Sequence, residues 1–120
     1  MKKRLMIVDD SRVMELQICR LLEGEDYEVA QYCENGEEAI ACYSETKPDI
    51  VLMDIIMPGI DGLEAAGVIM SENPQARIVM MSSLSDSDSI HEAKERGAKD
   101  YMIKPIDRES LLKALKTALE

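Results

Sequence analysis

The chain contains no phenylalanine and no tryptophan, and its aromatic residues are four tyrosines. Any core must therefore be aliphatic, with nine methionines available to fill irregular gaps. One histidine, His91, excludes a histidine metal cluster and leaves a surface helix position as its plainest reading. The three cysteines, Cys19, Cys33 and Cys42, are odd in number and lack metal-ligand spacing. They read as reduced, mostly buried small hydrophobes, which fits a cytoplasmic location. No apolar run approaches membrane-spanning length. Lys2-Lys3-Arg4 imitates the start of an export signal, but the apolar run after it stops at Asp9. Positive charge is scarce as well: 14 Lys and Arg stand against 24 Asp and Glu, a formal net charge of −10. Phosphate backbones and anionic lipid surfaces would repel such a chain, so direct nucleic-acid or membrane binding is not expected.

What is present is a set of short apolar runs, each closed by a polar group. Leu5–Val8 ends on Asp9-Asp10, Ile50–Met53 on Asp54, Ile78–Met81 on Ser82, and Tyr101–Ile103 on Lys104. Runs of four residues or fewer are too short for helices and suit strands buried on both faces of a parallel sheet. Laid side by side, their C-terminal ends would gather three carboxylates, a hydroxyl and an ammonium at the edge where open α/β sheets bind ligands. Packing alone does not account for that grouping, because clustered carboxylates repel one another and desolvate at high cost. The plainer reading, in which Asp9 and Asp10 cap the following helix, suits one acid after one strand better than three acids at converging strands.

Helical segments alternate with the runs. Ser11 can cap a helix in which Val13, Leu16, Ile18, Leu21 and Leu22 recur, ended by Gly24. Residues 28–33 read as a strand, Asn35-Gly36 as a turn, and 37–43 as a helix closed by Lys47-Pro48. A loop over 57–62 precedes a helix over about 63–70, which ends at Asn73-Pro74; a strand over 77–81 follows. The stretch 85–88 is rich in capping residues and opens a helix through Arg96, ended by Gly97. Asp107 caps a last helix whose stripe is Leu111, Leu112, Leu115 and Leu119. Five strands alternating with five helices predict a doubly wound parallel sheet with right-handed crossovers. With no linker, repeat or low-complexity segment, the 120 residues read as one domain over 1–120.

The acids imply a chemistry of their own. A carboxylate is a poor nucleophile toward a phosphoryl group while both are anionic, and Mg²⁺ would remove the repulsion. Mg²⁺ takes hard oxygen ligands, commonly one or two carboxylates plus waters, and Asp10 and Asp54 suit that role.

Asp9-Asp10, Asp54, Met57-Pro58 with Asp61-Gly62, Ser82 and Lys104-Pro105 together resemble the receiver domain of bacterial two-component response regulators, over the whole chain. The resemblance implies a flavodoxin-like sheet of order 2-1-3-4-5 and phosphoryl transfer from a histidine kinase, or a phosphotransfer protein, onto Asp54. It implies that the Ile56 backbone carbonyl is a third Mg²⁺ ligand and that Asp9 acts mainly through water. Lys104 would reach the phosphoryl oxygens, and the bond to Pro105 would be cis. Ser82 would be the switch hydroxyl, and Tyr101 the aromatic that moves with it; a plain half-buried strand tyrosine is an equal reading of Tyr101. An unidentified output protein would dock on the face of the fourth helix, fifth strand and fifth helix. Residues 94–120 carry seven basic and five acidic side chains, so that face suits an acidic or mixed partner.

Three positions depart from the common pattern. Ser83 stands where many members carry alanine, and Ile56 and Leu84, which flank the site, are apolar and cannot position a hydrolytic water. Ile56 also argues against a Mg²⁺-dependent aspartyl phosphohydrolase, which places an acid two residues after its nucleophile. An adaptor that works without phosphorylation would typically have lost Asp10, Asp54 or Lys104, and all three are present.

Overall fold

A computed structural model describes residues 2–120. Among these the chain alternates β1 (Lys3–Val8), α1 (Arg12–Leu21), β2 (Tyr27–Cys33), α2 (Gly36–Thr46), β3 (Ile50–Asp54), α3 (Gly62–Glu72), β4 (Ile78–Ser82), α4 (Ser87–Glu95), β5 (Asp100–Ile103) and α5 (Arg108–Leu119). The strands form one sheet of order β2-β1-β3-β4-β5, every pair parallel. All five residues of β3 and all five of β4 are buried, as their unbroken apolar runs require.

Side-chain alternation along the strands sorts the core into two layers. Leu5, Ile7, Leu52, Val79, Met81 and Met102 pack with Ile18 of α1 and Leu111 and Leu115 of α5. Met6, Val8, Met53, Ile78 and Met80 pack on the other face with Ala39 of α2, Leu63 and Ile69 of α3, and Ala93 of α4. No helix among the described residues is long and apolar enough to cross a membrane.

Element ends differ from the sequence reading by one to three residues. Larger differences fall in α1. Val13 and Leu16, read as part of its inward stripe, are 61% and 55% exposed, whereas Ile18 and Leu22 are buried. At 3.6 residues per turn the first two lie about 140° and 160° around the helix from Ile18. Ser11 occupies the N-cap position without a side-chain capping bond; instead its N–H donates to Asp9 Oδ1 at 2.8 Å. Asn35, Asp61, Asp86 and Asp107 do cap α2, α3, α4 and α5 through their side chains. Cys33 is buried, Cys42 half-buried and Cys19 exposed.

The turn from β3 into α3 is closed by Gly62. Its N–H donates to the Ile55 carbonyl at 2.7 Å. A Cβ at this position would lie 1.9 Å from the Asp54 carbonyl oxygen and 2.9 Å from Ile55 Cα. Backbone atoms cannot swing aside as side-chain tips do. Gly62→Ala is expected to cost at least ~2 kcal/mol of stability in urea unfolding; an unchanged midpoint would contradict this packing.

Candidate functional site

Register places the polar groups side by side. Val8 pairs with Met53, so Asp9 and Asp54 each take the next position along neighbouring strands. Asp54 pairs with Met81, and Ser82 pairs with Ile103, one residue before Lys104. Backbone bonds extend the ladder past the sheet's end: Ile55 N–H donates to the Met81 carbonyl at 3.2 Å, and Lys104 N–H to the Ser82 carbonyl at 2.8 Å. Neighbouring strands thus present chemistry at a common edge with no need for a long loop.

Asp9, Asp10 and Asp54 each offer a carboxylate oxygen, all within 4.8 Å of one another. Asp9 is fully buried and Asp54 is 5% exposed, while Asp10 is exposed. The Lys104 ammonium lies 2.9 Å from Asp9 Oδ2 and 3.4 Å from Asp54 Oδ1. Both Asp9 oxygens are therefore engaged, one by Lys104 and the other by the Ser11 N–H. The Asp10 carboxylate has no hydrogen bond or ion pair among the described residues. Three formal negative charges against one positive leave the cluster at −2, and its donors are hard oxygens. These residues fit a small divalent cation such as Mg²⁺.

Ionisation follows from this crowding. Burial, and next the charge of Asp9, push the Asp54 pKa from the ordinary 3.8 up to about 6, against the pull of Lys104. For Lys104, burial works against the charge, but the hydrogen bond to Asp9 and the charges of Asp54 and Asp9 outweigh it and raise its pKa.

Ser82 is buried at the end of β4, and its Oγ accepts the Leu84 N–H at 3.1 Å. Tyr101 is half-buried, on the face of the sheet that packs against α3 and α4. Its hydroxyl donates to the Leu84 carbonyl at 2.7 Å. Burial raises its pKa. Ser82 and Tyr101 thus converge on one segment, residues 82–84, beside Asp54. The Lys104–Pro105 bond is cis. Ile56 lies two residues beyond Asp54 with its side chain exposed, and Ser83 is exposed as well. His91 is on the surface, 2.7 Å from Glu95.

Neither Tyr32 nor Glu37 stands out in the sequence as a site residue. The Tyr32 hydroxyl donates to the Asp9 carbonyl at 2.7 Å. The Glu37 carboxylate accepts the Ile60 N–H at 3.4 Å and lies against Gly59, bracing the loop after Asp54. No motif flags either residue, because their partners are backbone atoms far away in sequence.

The raised pKa of Asp54 carries a stability consequence. Its folded pKa lies above the unfolded one, so the associated stabilisation is complete below about pH 4 and is lost as pH rises through about 6. Without divalent cations at about pH 8, Asp54→Asn is expected to be more stable than the wild type, by roughly 1–3 kcal/mol. The difference should shrink toward pH 4.5 or so. Urea unfolding in chelator at the two pH values checks this, and a gain independent of pH would contradict it.

Residues 5–116 match the response regulator receiver domain family. The chemotaxis protein CheY of Listeria monocytogenes is 42% identical over 115 residues, covering 96% of this chain and 97% of that protein. CheY of Bacillus subtilis is 38% identical over 119 residues, 99% of each chain. Among solved structures, a chain of the CheX–CheY–BeF3–Mg²⁺ complex of Borrelia burgdorferi has a TM-score of 0.93 at 30% identity, covering 98% of this chain and 90% of that one. The converging strand ends, the sheet order and these likenesses agree: the chain belongs to the response regulator receiver domain family and is a CheY-like receiver of two-component signalling.

Proposed function

We propose that this receiver, spanning residues 1–120, accepts a phosphoryl group on Asp54 from a histidine kinase or a phosphotransfer protein, with Mg²⁺, and thereby switches which protein it binds. The observation that carries the reading is the cluster itself: a nearly buried carboxylate beside two others, with one ammonium 3.4 Å away.

Asp54 attacks phosphorus; an O–P bond forms as the P–N bond to the donor's histidine breaks. Without a cation the Asp54 pKa of about 6 already leaves most of it ionised at neutral pH, and a cation beside it would favour the ionised form further. Asp10, Asp54 and the Ile56 carbonyl would hold the cation, and Asp9 would act through water. Bound Mg²⁺ supplies the positive charge that lets two anions meet. Its use here is supported by the hard oxygen set and by the Borrelia relative solved with BeF3 and Mg²⁺. Lys104 offers a point charge to the phosphoryl oxygens. A phosphoryl oxygen on Asp54 would draw the Ser82 hydroxyl toward it by a charge-assisted bond. Because residues 82–84 also hold the Tyr101 hydroxyl, that movement would reach the face formed by α4, β5 and α5, where the output protein docks. The switch is a shift in population between two arrangements. The domain assists its own phosphorylation and dephosphorylation rather than turning over a foreign substrate, and it works in the cytoplasm.

Incubation with Mg²⁺ and acetyl phosphate should add one phosphoryl group by intact mass. The addition should be absent in Asp54→Ala and without Mg²⁺; a modified Asp54→Ala protein would sink the assignment.

Loss of the group needs an oriented water. The two apolar side chains that flank the site, Ile56 and Leu84, have nothing to bind one. The phosphorylated form should therefore be long-lived, and Ile56→Asn with Leu84→Glu should speed phosphate release roughly tenfold or more. Equal release rates in the wild type and the double variant would refute this.

A further inference from the structure

We propose that Tyr32 is a positioning residue for the cation site, acting through the backbone between Asp9 and Asp10. This rests on the reading of Asp10 as a cation ligand. Asp10 is exposed, and no side-chain bond fixes its carboxylate among the described residues. Its place within 4.8 Å of Asp9 and Asp54 is therefore set by its backbone. The Asp9 carbonyl belongs to the planar peptide that leads into Asp10, so holding that oxygen orients the Asp10 N and Cα. The group holding it is the Tyr32 hydroxyl, at 2.7 Å.

The sheet is built to deliver this hydroxyl. β1 and β2 change register between Leu5 and Met6, where Leu5 pairs with Val29 but Met6 with Gln31, leaving Ala30 as an extra residue. Such a bulge reverses the alternation that follows it. Tyr27 and Val29 pack on the α1–α5 layer; with unbroken alternation Gln31 would follow them, yet it is Tyr32 that packs there. Cys33 turns to the opposite layer, and its carbonyl accepts the Asp9 N–H at 3.0 Å. The Arg12 guanidinium lies 5.1 Å from the Tyr32 ring centroid and pairs with Glu15 at 3.4 Å, holding the ring from the α1 side. Asp9 is thus gripped at its N–H, its carbonyl and both carboxylate oxygens; its Oδ1 contact with the Ser11 N–H holds the peptide after Asp10, and the carbonyl contact with Tyr32 holds the peptide before it.

The test is calorimetric titration of the full chain with Mg²⁺. Tyr32→Phe keeps the ring and its contact with Arg12 and removes only the hydroxyl. Its Mg²⁺ affinity should fall roughly fivefold, the factor that one hydrogen bond's net contribution supplies. 4-Aminophenylalanine at position 32 restores an N–H donor and should recover most of the loss. Wild-type affinity in Tyr32→Phe would overturn the inference. So would a loss that the donor-bearing analogue does not repair, since that would mark general destabilisation. Asp10→Asn separates the two levels: if it binds Mg²⁺ as the wild type does, or if the wild type takes none, the cation-site reading falls and this inference with it.

Discussion

Lys104 spans two carboxylates that separate strands carry into nearly complete burial, and the site's geometry depends on that contact. Asp9 and Asp54 are adjacent because β1 and β3 are, and without a counter-charge their mutual repulsion and desolvation would oppose the sheet that joins them. One ammonium neutralises part of this and leaves a formal −2. The site therefore keeps an excess of negative charge at the point where a dication would neutralise it. The raised pKa of Asp54 expresses the same excess.

Around this cluster the scaffold is stiff where it must hold and lighter where it must respond. β3 and β4 are buried along their whole length, and Gly62 brings α3 against the end of β3 more closely than any side chain would permit. The segment after Ser82 is different: residues 83–88 are exposed or half-buried, and two hydrogen bonds around Leu84 tie them to Ser82 and Tyr101. A phosphoryl oxygen that competes for the Ser82 hydroxyl would act on the part of the edge with the fewest packing constraints.

Much of the fold could be read directly. β3 and β4 announce themselves because both faces of a central parallel strand are buried, so no alternation hides them. Asp9-Asp10, Asp54 and Lys104 were legible for the same reason: each stops an apolar run, and parallel strands end at one edge. α1 was harder. Val13 and Leu16 satisfy an apolar count, but whether an apolar helical face meets a partner is decided by how the helix is rotated on the sheet, which Ile18 and Leu22 fix. Ser11 sits at the N-cap without a side-chain capping bond, and its N–H donates to the Asp9 carboxylate.

By itself, the order of residues determined the alternation of strands and helices, the parallel sheet, and the identity of the acids and the lysine at its edge. Those properties follow from run length and from which groups tolerate burial, both local in sequence. Tertiary structure alone decided the bulge at Ala30, the turning of Tyr32 toward Asp9, the bracing of the Gly59 loop by Glu37, and the exposure of one side of α1. Each depends on register, on a contact with backbone atoms distant along the chain, or on how a helix is rotated onto the sheet, and none of these leaves a residue pattern to read.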